Sequence, residues 1–263
     1  MNKYLKLTLL LFSVLVLNRV QANAQALLVA HRGASFRAPE NTLASVELAW
    51  KLGAKAVEID VHLSKDGKIM VNHDKNTQRT GEKKLLIKEA LSNDLRKLDV
   101  GSFKHKKYKG EQIPFLEEVM ATVPEDGKLF IEVKCGPEVL ETLKENIAQS
   151  GKQGQMVIIS FSKKVVTQAK AVLPEVPVYW LRGNYKAHSL EEIIQIVKEH
   201  NLDGLDVSYK LVTPAFAERM KQEKIAVFVY TVNDPELAQQ LVDNGVQGIT
   251  TDRPGWLRKK LKL

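Results

Sequence analysis

The sequence has 263 residues, 44% of them hydrophobic and 27% charged, and a formal net charge of +8. That length can bury a sizeable core and suits one barrel-sized domain or two small ones. The single cysteine, Cys135, excludes an intrachain disulfide framework, so packing and any bound metal must supply the stability.

The chain opens with Lys3 and Lys6, an apolar run over residues 7–17 and the small-x-small triplet Ala22-Asn23-Ala24. The run is too short to span a bilayer comfortably, and no cysteine stands at the cleavage point to make a lipoprotein. Residues 1–24 therefore read as a secretory signal, cleaved after Ala24, rather than as a retained anchor. The expected product is exported, periplasmic or secreted, with no stable membrane insertion after cleavage. The signal contains Lys3, Lys6 and Arg19 and no acid, which takes the +8 of the chain to +5 for residues 25–263. A modest positive balance attracts anions, but no Arg/Lys block with interleaved aromatics points to nucleic acid. The lysines at 104, 106, 107 and 109 read as a solvated loop, and Arg258-Lys259-Lys260 as a polar helix face.

From residue 27 onward short apolar, β-branched runs alternate with amphipathic segments. Strands are expected at 27–30, 56–62, 69–72, 129–134, 156–160, 178–181, 204–207, 226–230 and 247–250. Helices are expected at 41–52, 114–122, 137–150, 163–172, 190–200, 214–222, 235–243 and 255–262. Continuous apolar strands alternating with helices imply a parallel sheet covered on both faces. About eight such units favour the (β/α)8 TIM barrel of the α/β class over an open sheet. The first strand runs into His31-Arg32-Gly33, which is not the G-x-G-x-x-G of a dinucleotide fold. Residues 69–72 can return as a hairpin through Asp66-Gly67. Residues 75–110 interrupt the rhythm as a polar, lysine-rich insertion with a short helix near 88–98.

The ionisable residues cluster at strand ends, where a TIM barrel builds its active face. Glu58 and Asp60, at i and i+2 on one strand, share a face. Two like charges there need compensation, which a hard divalent cation, Mg²⁺ or Ca²⁺, would supply. Glu132 and Lys134 repeat the spacing, and the competing reading is a buried salt-bridge layer such as Lys134 with Glu58. His31 and His73 lie at adjacent strand ends beside these carboxylates, placed to serve as general acid and base; His62, two residues past Asp60, is the alternative. Arg32 and Lys134 suit a phosphate oxyanion. Glu40 is either a further carboxylate beside the metal or an orienting partner of Arg32. Asn41 or Thr42 is sufficiently explained as a helix N-cap. Cys135, beside Lys134, reads as a small barrel-edge side chain rather than a nucleophile.

The ordered set His31-Arg32-Gly33, Pro39-Glu40-Asn41-Thr42, Glu58-x-Asp60, Asp66-Gly67 and His73-Asp74 resembles the signature of glycerophosphodiester phosphodiesterases. Leu98-Asp99-x-Gly101, Ile113-Pro114-x-Leu116-x-Glu118, Glu132-x-Lys134, Ser160-Phe161 and Thr251-Asp252-x-Pro254 continue it, over roughly residues 27–257. The resemblance implies a TIM barrel with a small insertion after the second strand region. It implies one divalent cation on Glu58, Asp60 and Glu132, and His31 and His73 as the acid/base pair. Arg32 and Lys134 would contact the phosphate, with Glu40 beside the site. The implied substrates are glycerophosphodiesters left by phospholipid deacylation, giving glycerol 3-phosphate and an alcohol. The resemblance favours attack by a neighbouring glycerol hydroxyl through a cyclic phosphate, with direct water attack left open. Tyr230 stands where the family commonly has Trp, so the aromatic shaping the pocket floor differs. Lysophospholipid cleavage by the same site is a related alternative. Glycoside hydrolysis is disfavoured because a neutral sugar needs no anion trap. A non-catalytic phosphodiester-binding protein is disfavoured by the complete His and carboxylate set. Oligomeric state has no sequence signal.

Overall fold

The structure, a computed structural model, describes residues 26–262. The expected signal peptide over 1–24 lies outside the described residues. The elements in chain order are β1 (Leu27–Ala30), α1 (Leu43–Lys51), β2 (Ala56–Leu63), β3 (Ile69–Val71), α2 (Ser92–Leu95), α3 (Leu116–Thr122), β4 (Lys128–Val133), α4 (Leu140–Ser150) and β5 (Met156–Ser160). They continue with α5 (Lys163–Val172), β6 (Val178–Arg182), α6 (Leu190–Glu199), β7 (Gly204–Ser208), α7 (Pro214–Glu223), β8 (Ala226–Tyr230), α8 (Pro235–Asp243), β9 (Gly248–Thr251) and α9 (Pro254–Leu261).

Eight parallel strands close a barrel in the order β1-β9-β8-β7-β6-β5-β4-β2, with β2 pairing back onto β1. The expected TIM barrel is therefore the fold. β3 is the return arm of a hairpin, antiparallel to β2 with Val61 opposite Val71. Two apolar layers follow from strand alternation. Outward residues such as Val57, Ile59, Ile131, Ile158, Trp180 and Val207 pack beneath the helices. Inward residues Val29, Ala56, Phe130, Val157, Leu181 and Phe228 fill the barrel. Burying each large apolar side chain contributes about 1.5–3 kcal/mol. Tyr179 and Phe130 both lean on Phe228, with ring centroids 5.0 and 5.4 Å away. Gly248 makes room for that aromatic plug, since a Cβ there would lie 2.0 Å from the Phe228 ring.

Differences from the expected boundaries have local causes. The first helix begins after Thr42, whose side chain caps it, because Asn41 sits at φ 57 outside the helix. Pro114 does not open a helix; its carbonyl accepts from the Val71 amide and extends the hairpin edge. The insertion holds one four-residue helix, α2, in place of the longer helix expected there. Its Ile87, Leu95, Leu98 and Val100 form a separate core with Ile113 and Met70. Asp66 ties it to the hairpin by accepting from the Ser92 amide and hydroxyl at 2.8 and 2.6 Å.

Candidate active site

The strand register brings the acids together. Asp60 on β2 lies opposite Glu132 on β4, and Glu58 precedes Asp60 on the same inward face. One carboxylate oxygen from each of Glu58, Asp60 and Glu132 lies within 4.8 Å of the others. Phe130, two residues before Glu132 and also inward, roofs the aromatic plug below them. The acids therefore stand against an apolar floor.

Their bonding leaves two buried oxygens without a hydrogen-bond partner. Glu58 Oε2 accepts from the Arg32 amide at 2.9 Å, while Oε1 has no partner. Asp60 Oδ2 accepts from Asn41 Nδ2 at 2.8 Å, and the Asp60 amide donates to Asn41 Oδ1 at 3.1 Å. Asp60 Oδ1 accepts no hydrogen bond, although Lys134 Nζ stands 3.5 Å away. Glu132 Oε1 accepts from Lys134 Nζ at 2.8 Å. Burial, then the charge of Asp60 and of Glu132, pushes the Glu58 carboxyl well above its ordinary range. Burial and Asp60 likewise push Glu132 up to about 7. Burial would raise Asp60 too, but Arg32 and Lys134 outweigh it and hold Asp60 below its usual value. Concentrated negative charge with orphaned hard oxygens is what a divalent cation satisfies, so the residues present fit such an ion. Lys134 pairs with Glu132 and Asp60, not with Glu58, so a salt bridge exists here but leaves the buried Glu58 Oε1 without a partner.

Both histidines are oriented by carboxylates. His31 Nδ1 lies 2.7 Å from Asp252 Oδ1, and His73 Nδ1 lies 2.6 Å from Asp74 Oδ1. Burial raises Asp252, but bonds from His31, Asn233 and Ser35 outweigh it and hold it at about 2. Arg79, above all, holds Asp74 at about 2. An ionised carboxylate only accepts, so each imidazole has its proton on Nδ1 and presents Nε2. His73 Nε2 lies 3.3 Å from Lys134 Nζ. Burial, the largest influence on His73, lowers its pKa and favours the neutral ring.

Arg32 adopts φ 55, which swings its amide onto Glu58 and its guanidinium toward Glu40 and Asp60, 2.8 and 3.3 Å away. Gly33 permits that turn: a Cβ there would meet the Ser45 carbonyl carbon at 2.5 Å. Glu40 is fully engaged by two guanidiniums, since Arg79 also donates to both its oxygens at 2.8 Å. Of the two sequence readings of Glu40, the orienting partner of Arg32 is the observed arrangement. His62 points elsewhere: its Nε2 lies 3.1 Å from the His73 carbonyl, bracing that loop. Cys135 is half-buried against the core and burial pushes its thiol up to about 11, as expected of an unreactive side chain.

Across the barrel the mouth is differently furnished. Tyr230 closes β8, edge-on to Phe161 with centroids 5.8 Å apart, and its buried hydroxyl has no partner. Inward on β7, Asp206 is 2% exposed, and its Oδ1 has no partner. Burial, then the charge of Glu132, pushes its carboxyl well above the ordinary range.

Sequence reasoning left several of these residues unassigned. Asn41, which the sequence explains as a helix cap, instead clamps Asp60 with its side chain. Asp74 and Asp252 carry a signal as acids at strand ends, Asp74 directly after His73 and Asp252 between Thr251 and Arg253. Arg79 and Asp206 carried none: one lies in a polar insertion, the other alone in an apolar strand.

With this geometry in place, similarity to known proteins decides the family. Residues 31–256 match the model of the glycerophosphoryl diester phosphodiesterase family. The chain belongs to that family. A glycerophosphodiester phosphodiesterase of Caldanaerobacter subterraneus is 32% identical over 88% of this chain and 95% of its own. One from Bacillus subtilis is 30% identical over 90% of this chain and 86% of its own. A phosphodiesterase from Oleispira antarctica, solved with the product sn-glycerol-3-phosphate, superposes with a TM-score of 0.84 at 30% identity, over 90% of this chain and 97% of that one. As a member the chain is an enzyme, a glycerophosphodiester phosphodiesterase.

Proposed function

We propose that the enzyme hydrolyses glycerophosphodiesters to sn-glycerol 3-phosphate and an alcohol, with one divalent cation, Mg²⁺ or Ca²⁺, held by Glu58, Asp60 and Glu132. The observation that carries this reading is the acidic trio with two orphaned buried oxygens, flanked by two imidazoles that carboxylates hold in one tautomer. The product bound by the Oleispira antarctica phosphodiesterase supports the same substrate class here.

The bound cation would supply positive charge for the non-bridging oxygens of the phosphodiester. Arg32 and Lys134 add fixed cations beside it, and charge building on those oxygens in the transition state gains most from them. Glu40 and Arg79 hold the Arg32 guanidinium in place. One imidazole Nε2 takes the proton of the nucleophile and the other, protonated, donates to the leaving alcohol. The nucleophile is a neighbouring glycerol hydroxyl, through a cyclic phosphate that water opens. Tyr230 borders the substrate on the far side of the mouth. Residues 25–263 form the catalytic domain, with 75–110 as its insertion. Residues 1–24 direct export, after which the enzyme acts in the periplasm or outside the cell to scavenge glycerol and phosphate from lipid debris.

A coupled assay for glycerol 3-phosphate tests the reading, run with each cation over a panel of headgroups including a lysophospholipid. Turnover of soluble glycerophosphodiesters that stops on chelation and returns with Mg²⁺ or Ca²⁺ supports it. Full activity in chelator on metal-free enzyme rejects the cation, and turnover restricted to micellar lysophospholipid rejects the substrate class. The mass of the exported protein checks cleavage after Ala24.

A further inference from the structure

Beside the mouth lies a patch that the catalytic reading does not use. A cleft of about 340 Å³ opens between Phe36 and Trp256, floored by Leu52 and Pro254 and rimmed by Arg37, Arg253 and Lys259. It adjoins the cavity that holds His31, and the two share Phe36 and Asp252 in their walls. Phe36 is 53% exposed and Trp256 41%, high values for rings of this size. Arg253 is clamped between them, its guanidinium carbon 3.8 Å from the Phe36 ring centre and 5.6 Å from that of Trp256.

The lysine-rich end of the insertion is docked onto the same face. Lys104 Nζ donates to the Ser35 carbonyl at 2.6 Å, and the Tyr108 hydroxyl donates to the Arg37 carbonyl at 3.0 Å. This brings exposed Phe103 and the lysines at 104, 106 and 107 alongside Phe36. Lysines 104–109 and the basic end of α9, far apart in sequence, thus flank one aromatic cleft. Among the described residues no carboxylate pairs with Arg37, Lys106, Lys107 or Lys259, while most lysines and arginines of the acidic rim are paired.

We infer that this face is an interfacial docking surface for an anionic lipid bilayer, which seats the enzyme with its mouth toward the membrane. The composition suits that partner. Large apolar side chains enter the acyl boundary, Trp prefers the headgroup level, and surrounding cations gain from anionic headgroups. An aqueous small molecule would not use two exposed rings across a cleft and a third, Phe103, on the loop docked at Phe36, and apolar exposure of this kind beside a functional mouth marks a contact surface. No described helix is long and apolar enough to cross a membrane, so the contact is peripheral.

Cosedimentation of the full chain with vesicles tests this. One set is phosphatidylcholine alone; the other adds phosphatidylglycerol; each is run at low and high salt. Parent and variants keep the same first 25 residues, so any binding by that segment cancels in the comparison. The parent is expected to bind the anionic vesicles at least about 25-fold more tightly than the neutral ones, roughly what two surface cations supply, and to lose that preference at high salt. Lys107→Glu with Lys259→Glu should lower anionic-vesicle affinity by about 25-fold or more, at roughly fivefold per cation removed. Phe103→Ser with Trp256→Ser should lower it by about tenfold. Both double variants alter exposed side chains outside the catalytic set, so turnover of soluble glycerophosphocholine and the melting temperature should match the parent; this separates failure of docking from failure of the catalytic reading. Equal affinity for the two vesicle types, or variants that bind like the parent, overturns the inference. So does a parent dimer in sedimentation that Trp256→Ser dissolves, since the patch would then serve a second copy of the chain.

Discussion

The two halves of the barrel mouth are built on opposite plans. On the side of β1, β2 and β4, the catalytic candidates are each held by a named partner, and the unpartnered oxygens, Glu58 Oε1 and Asp60 Oδ1, belong to the candidate cation site. Asp252 fixes His31, Asp74 fixes His73, Asn41 clamps Asp60, and Glu40 with Arg79 sets Arg32. On the side of β7 and β8, the Tyr230 hydroxyl and Asp206 Oδ1 are left without partners. Under the proposed function the difference separates two tasks. Groups that stabilise developing charge must be rigid in advance, because reorganisation during the reaction would cost what they contribute. Groups that receive a variable part of the substrate can stay unpartnered until it binds.

The sharpest way to break this division is to remove what the committed side is built around. Chelation of the bound cation should abolish turnover; so should Glu58→Gln combined with Asp60→Asn, read by glycerol 3-phosphate release. His31→Ala and His73→Ala should each lower kcat by about 10²–10⁴-fold, and either variant retaining full kcat would remove that residue from the acid/base pair. Asn41→Ala should weaken cation affinity by about 10–100-fold, as loss of an orienting partner does, measured by calorimetric titration with Mg²⁺ or Ca²⁺. At the far side the effects should be smaller and of another kind. Tyr230→Phe should change KM and headgroup preference by about 2–10-fold, the worth of one hydrogen bond, with kcat little altered. A large loss of kcat in Tyr230→Phe would show that the two halves are not divided as described.

The acidic trio also predicts a pH signature in the metal-free enzyme. Glu132 is held at about 7, above the ordinary glutamate value of 4.5. The unfolded chain releases that proton near 4.5 and the folded chain near 7. Between those values the unfolded state binds fewer protons, so this group makes stability fall as pH rises, levelling above 7. The melting temperature without cation should therefore decline from about pH 5 to pH 7, and added Mg²⁺ or Ca²⁺ should reverse the decline. A metal-free melting temperature that is flat or rising over that window, and unmoved by cation, would contradict the crowding of the three acids.

Much of this molecule could be read from the chain alone. Strand and helix period is a local property, so the alternating apolar runs located all nine strands to within about a residue or two. The i, i+2 pairs Glu58/Asp60 and Glu132/Lys134 exposed the site for the same reason, since the pleat fixes which side chains share a face. The hairpin of residues 69–72 followed from its turn chemistry. The insertion reads as polar because its few apolar residues are scattered; Ile87, Leu95, Leu98 and Val100 make a core only once folded against Met70 and Ile113.

The sequence by itself determined the fold class, the residue types of the candidate site and the edge of the barrel that carries them, because those depend on short-range periodicity and on residue order. Tertiary structure alone decided the partnerships: Asp252 with His31 across 221 positions, Arg79 with Glu40, Asn41 with Asp60, and Lys104 with the Ser35 carbonyl. Such pairings are set by barrel closure and strand register, which bring distant segments within hydrogen-bond reach and leave no mark in any local stretch of chain.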